Sequence, residues 1–263
     1  RTRRFPGIFG VHSGKRRGSE GRHVMTDERR FGAPVPGWTP PPRPEGQVLE
    51  GRYARLERLG TDHAGDLHRA FMADDRVWDY LPYGPFADAA AYGAWVGRMA
   101  PGTDPLFYAI IDRATGKAGG VASYLRIMPE AGSIEVGHIC LSPALQRGRA
   151  ATEAMALMME WAFGAGYRRY EWKCDALNLP SRRAAERLGL SYEGTFRQAT
   201  VVKGRNRDTA WFAATDGDWP ALRAAFSAWL DPGNFDAEGR QRLSLSALTR
   251  PVLVAADPMR GAG

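Results

Sequence analysis

Two cysteines in 263 residues are too few for a disulfide framework, and Cys140 and Cys174 lie in apolar, strand-like surroundings without metal-ligand spacing. No apolar run approaches the ~20 residues that a membrane-spanning helix needs. No motif recurs at a fixed period, and the N-terminal stretch lacks the apolar core of an export signal. These absences argue against membrane insertion, secretion and metal chemistry, and they point to a reduced cytoplasmic compartment.

Acidic residues are scarce at one end only. Residues 1–24 hold seven Arg or Lys against the single acid Glu20, so most of the formal net charge of +7 sits there, and the chain from Met25 onward is almost neutral. Nucleic acid is therefore not an expected partner of the folded body. The chain opens without Met, and Met25 is followed by Thr26-Asp27-Glu28, an ordinary polar start. The expectation is that translation begins at Met25; residues 1–24, where present, form a basic disordered extension. Residues 25–48 are rich in proline and glycine and read as an extended arm with Trp38 as its anchor.

What the chain does contain is organised around residues 133–166. An apolar run, Ile134 to Leu141, meets Ser142-Pro143, and Gln146-Arg147-Gly148-Arg149-Ala150-Ala151-Thr152 then leads into an Ala/Met-rich helix. First-turn N–H groups of a helix have no intrahelical partner and carry the positive end of its dipole, so a strand, a lean basic loop and a helix make a phosphate grip. The helix, read over Thr152 to Phe163, is apolar around most of its girth and must be buried on more than one side.

Around this centre, alternation in Arg52 to Leu59 predicts a first strand, followed by helices through Phe71, around Trp78 and over Asp88 to Met99. Strands are expected at Leu106 to Ile111, Gly119 to Ile127, Tyr167 to Cys174, Ser191 to Val202 and Asp208 to Ala214. Further helices open near Asn178 and span Trp219 to Leu230. The implied fold is α/β: a mixed, mostly antiparallel sheet flanked by helices, with one crossover through the central helix. Residues 49–230 form the domain, and residues 231–263 a C-terminal extension that reads as loose from about residue 249.

The loop Gln146 to Ala154, together with Asn178-Leu179-Pro180-Ser181-Arg182-Arg183-Ala184-Ala185-Glu186-Arg187-Leu188-Gly189-Leu190 and Glu193-Gly194, resembles the GNAT acyltransferase superfamily, and most of all its Rim-type N-acetyltransferase branch. The resemblance spans roughly Leu49 to Leu230. It implies an acetyl-CoA co-substrate whose pyrophosphate rests on Gln146, Arg147, Gly148, Arg149, Ala150 and Ala151. It further implies that the pantetheine arm pairs with backbone at Ile139 and Leu141, in a splay between the two central strands, and that Asn178 and Ser181 lie beside the thioester. One departure stands out: Arg149 occupies the place of the family's middle glycine, where it is expected to add a phosphate contact.

The implied activity is direct acetyl transfer, in a ternary complex, to a primary amine: a small or peptide-like molecule or a protein N-terminus. Glu135 is the candidate base and His138 its rival, the two sharing a face only if a bulge intervenes. Ser181 and Asn178 could equally be ordinary helix-start residues. Arg182 and Arg183 are further candidates for CoA phosphates, whereas Cys174 has no partner that would make it a nucleophile. Trp78, Phe107, Tyr124 and Trp172 are candidate walls of an acceptor pocket. The alternative is a non-catalytic module that binds an acyl-CoA or a protein, and the sequence admits a homodimer.

Overall fold

The computed structural model describes residues 31–261. The chain divides into two compact units at Trp38. In the first, residues 31–38 are extended, with a turn at Pro36 and Gly37. The second holds one eight-stranded sheet: β1 (Leu49–Glu50), β2 (Ala54–Arg58), β3 (Leu106–Asp112), β4 (Lys117–Met128), β5 (Ser133–Leu141), β6 (Arg169–Asp175), β7 (Ser191–Val202) and β8 (Arg205–Thr215). Spatial order is β1-β2-β3-β4-β5-β6-β8-β7. Every neighbouring pair is antiparallel except β5 with β6.

Helices α1 (Ala64–Phe71) and α2 (Ala89–Met99) cover one face of β3 to β5, where Leu67, Phe71, Tyr92 and Trp95 pack on Phe107, Ala109, Val121 and Cys140. Against the other face lie α3 (Arg149–Gly164), α4 (Leu179–Arg187) and α5 (Trp219–Leu230). Met155, Met158 and Met159 of α3 are buried there with Tyr124, Ile134, Val136, Tyr170 and Trp172, which makes the methionines core packing. A short α6 (Leu245–Thr249) packs beside α4 and α5.

Two irregularities of β5 position the site. Its parallel pairing with β6 runs only from Ser133 opposite Arg169 to Val136 opposite Trp172, so the two strands part from each other beyond that point, each keeping its antiparallel neighbour. On the other edge, Val121 faces Cys140 while Ser123 faces Gly137, which sets two residues, His138 and Ile139, opposite Ala122. This is a bulge, and His138 adopts a φ of 51 in it. The extra residue reverses the parity of the strand: Ile134 and Val136 face α3, but Cys140 faces α1 and α2. Glu135 and His138 thus come to the same side of the sheet.

Several sequence expectations are corrected. The helical pattern around Trp78 is only a 3₁₀ turn, Asp75–Trp78. The central helix starts three residues earlier than Thr152, at Arg149, because Arg149, Ala150 and Ala151 are themselves good helix formers. The four aromatics expected to line one pocket are buried on opposite faces, Tyr124 and Trp172 with α3, Trp78 and Phe107 with α1 and α2.

The C-terminal stretch after residue 249 is not loose. Asp257 receives the Nε and Nη2 of buried Arg182 at 2.8 and 2.5 Å, its own N–H reaches Glu186, and Val254 N–H donates to Ser191 Oγ. These anchors are separated by more than sixty positions in the chain, where no local pattern signals them. At the other end of this unit, Arg43 donates to Ile127 O and the Tyr167 hydroxyl to Pro42 O, so the later part of the arm lies along the sheet.

Candidate active site

In the first turn of α3, Ala150 and Ala151 are small and buried. Gly148 is the N-cap and makes no side-chain cap, and the N–H groups of Arg149, Ala150 and Ala151 precede the first intrahelical bond, which runs from Thr152 N–H to Gly148 O. Arg147 takes a left-handed φ of 59 just before the cap. A Cβ at Gly148 would come 3.1 Å from Leu145 O, so glycine suits the close turn. The result is a concentration of N–H donors with the positive helix end behind them. Gln146 and Arg147 are exposed beside it, and the Gln146 amide donates to Leu141 O at 3.0 Å.

Arg149 does something the sequence did not foretell. Its guanidinium lies between the rings of Tyr53 and Phe235, 4.9 and 4.8 Å from their centroids. The side chain thus joins the start of β2 and the C-terminal extension to the grip. One turn on, buried Glu153 accepts the N–H groups of Arg52, Tyr53 and Ala54 at 2.9, 2.5 and 2.7 Å.

Opposite the loop, α4 follows the end of β6 that has parted from β5. Asn178 is its N-cap and accepts the Ser181 N–H at 3.1 Å. Ser181 Oγ accepts from the Trp172 indole at 3.0 Å, which leaves its own proton to donate. Cys174 is nearby; burial pushes its thiol up to about 11, with the Ser181 hydroxyl opposing, so it stays an inert thiol near neutral pH. Arg182 is committed to Asp257 and is not available to a phosphate, while Arg183 is exposed.

Glu135 is buried. Arg126 Nη1 donates to its Oε1 at 2.6 Å, and Lys173 Nζ stands 2.8 Å from Oε2, off the hydrogen-bond direction, as an ion pair. Lys173 also pairs with Glu171 at 2.7 Å and caps the Trp211 ring at 3.8 Å. With a side chain only 3% exposed and cations on both oxygens, Glu135 is not open to an acceptor amine in this arrangement.

His138 is the more accessible group. Its ring stacks on Tyr83 at 5.6 Å, with Nδ1 3.2 Å from the Tyr83 hydroxyl, and Phe107 lies at its side. Burial, reinforced by Arg126 and Arg207, pulls the imidazole down to about 4, so it is neutral at physiological pH. In the unfolded chain an ordinary histidine binds its proton near pH ~6.5. The unfolded state therefore binds more protons between those values. Stability should fall by up to about 3 kcal/mol as pH drops through that window, and this loss is absent above it. Urea unfolding at pH 7 and 4.5 checks this: the difference should shrink in His138→Phe.

The space in front of His138 is roofed. Lys203, at the β7–β8 turn, donates to Trp78 O at 2.8 Å, and the Tyr80 hydroxyl donates to Leu177 O at 3.2 Å. Segment 75–83 and the β7–β8 hairpin thus meet across the parted ends of β5 and β6. Among the described residues no group of histidines, cysteines or acids could hold a metal ion, and no helix is long and apolar enough to cross a membrane.

The sheet thus parts at its one parallel pair, with the N-terminus of α3 beside the parting. The family model described as "Acetyltransferase (GNAT) domain" matches residues 54–191. A GCN5-related N-acetyltransferase from Brucella melitensis is 46% identical, covers 82% of this chain and 100% of its own, and superposes with a TM-score of 0.80. A protein from Chromobacterium violaceum assigned to the GNAT family is 40% identical, covers 73% of this chain and 98% of its own, with a TM-score of 0.69. RimL, a ribosomal L7/L12 alpha-N-protein acetyltransferase, shares the fold at 20% identity and a TM-score of 0.55, covering 67% of this chain and 99% of its own. No curated protein matches the chain. The chain belongs to the GNAT acetyltransferase family.

Proposed function

We propose that the protein is an acetyl-CoA-dependent N-acetyltransferase that passes an acetyl group directly to a primary amine bound with the donor in a ternary complex. The observation that carries this is the meeting of two features: the N–H groups of Arg149, Ala150 and Ala151, which precede the first intrahelical bond, and the edge of β5 that β6 leaves open beyond Val136. The residues fit the donor. Backbone at residues 146–151 holds its pyrophosphate, and the β5 edge at Ile139 and Leu141 holds the pantetheine arm. Leu141 O is already engaged by Gln146, so Ile139, in the bulge, is the freer partner. The donor supplies an activated thioester.

Ser181 acts beside that thioester. Its oxygen is occupied by the Trp172 indole, so its proton can serve the departing sulfur, and Asn178 positions it by fixing the first turn of α4. Glu135 is proposed as a positioning residue, holding Lys173 and Arg126 in the floor. The acceptor needs no strong base: an α-amine, with a pKa near ~8, is substantially neutral in mildly alkaline solution. Its proton passes to solvent, with neutral His138 beside the path. The acceptor is a small or peptide-like amine or a protein N-terminus, and the compartment is the cytoplasm.

A second reading, a non-catalytic acyl-CoA-binding module, draws on one observation: the only carboxylate on the β5 segment beside the split is closed off by cations. Amine-dependent release of free CoA separates the two.

A further inference from the structure

Among the described residues around the split, Arg207 stands out as a cation that is shielded and yet has no partner. On β8, Ala210, Phe212 and Ala214 face the α3 core, so Arg207, Thr209 and Trp211 project to the other side, the side of Lys173 and His138. Arg207 is half-buried; its Nε is shielded from solvent and has no hydrogen-bond partner, and no acid among the described residues pairs with it. The Trp211 indole N–H on the same face is likewise shielded and without an acceptor.

Neighbouring acids are already engaged. Glu135 and Glu171 are held by Arg126, Arg169 and Lys173; Asp175 accepts from Leu177 N–H; Asp208 accepts from Gln198 N–H and the Asn206 amide. The hairpin that carries Arg207 is fixed over the split by the Lys203 to Trp78 bond. The positive charge of Arg207 is felt at both His138 and Cys174, one from each strand of the split.

Shielded donors without partners cost free energy, and folded proteins rarely keep them without a use. The geometry points to a use in the acceptor: we infer that Arg207, with the Trp211 N–H, binds a carboxylate carried by the amine substrate, so that the acceptor is an amino acid or a peptide with a free C-terminus. One guanidinium and one neutral N–H suit a singly charged carboxylate, which an arginine can grip with two parallel bonds. This inference rests on the acetyltransferase reading above.

The test uses acetyl-CoA and matched acceptors: several α-amino acids and dipeptides, each beside its carboxamide, so that the amine is kept and the carboxylate removed. The free acids should be acetylated with kcat/KM about 100-fold above the amides, the size of a lost charged partner. Arg207→Gln should bring the acids down to the level of the amides, and Arg207→Lys should recover part of the difference, while both variants keep the rise in melting temperature with acetyl-CoA. Equal rates for acid and amide, or a preference that survives in Arg207→Gln, overturns the inference and leaves the transferase standing. Acetylation of none of these amines, by a protein that binds acetyl-CoA, overturns both.

Discussion

Glu153→Ala should lower the unfolding free energy by about 4 kcal/mol, because it removes a buried charged acceptor from three backbone N–H groups. For a unit of this size that is a fall of ~10 °C in midpoint. Glu153 is 6% exposed, and its two oxygens hold Arg52, Tyr53 and Ala54 against the start of α3. The turn leaves no room for anything larger: a Cβ on Gly51 would sit 2.4 Å from Glu153 Cδ. Alanine fills none of the space and satisfies none of the donors. Glu153→Gln keeps an acceptor but sets an amide against the same N–H groups, so it should lose roughly half as much. Denaturant unfolding of both variants decides it. A loss below about 1 kcal/mol for alanine would mean that the turn before β2 holds without this carboxylate.

Arg149→Glu should weaken acetyl-CoA binding about 100-fold while leaving stability within about 1 kcal/mol. The two readouts separate because the opposing terms act on different states. In the free protein the substitution removes two ring contacts, each worth ~0.5–1 kcal/mol at an exposed site. It also places an acid in the first turn of a helix, which is favourable by ~0.3–1 kcal/mol. These nearly cancel. In the complex the new carboxylate stands at the N–H groups proposed for the pyrophosphate and repels it. Arg149→Gln, which adds no negative charge, should bind far better than Arg149→Glu. Titration calorimetry with acetyl-CoA reads the difference, and an unchanged affinity in Arg149→Glu would remove the loop from the donor site.

The parts of the site that were legible in the sequence are those made by contiguous residues. The apolar run at Ile134, the lean loop from Gln146 and the apolar helix behind it are one strand, one turn and one helix terminus, and α5 and β7 follow from periodicity alone. What escaped depends on pairing across the sheet. A bulge at His138 is a mismatch between β5 and β4, and histidine gives no sign of a left-handed φ as glycine would. Glu135 reads as a candidate base until Arg126 and Lys173, on two other strands, are brought against it. Arg182 reads as a candidate for the CoA phosphates until Asp257, 75 residues on, engages it. Arg207 carries no motif at all; only the absence of a partner among the described residues marks it.

The central claim is acetyl transfer, and the most direct measurement is the release of free CoA thiol from acetyl-CoA with and without a panel of primary amines at mildly alkaline pH. Thiol release that requires an amine and matches N-acetylated product one for one is the expected result. Acetyl-CoA that raises the melting temperature, yet gives no thiol with any amine, would contradict it and make the protein a binding module.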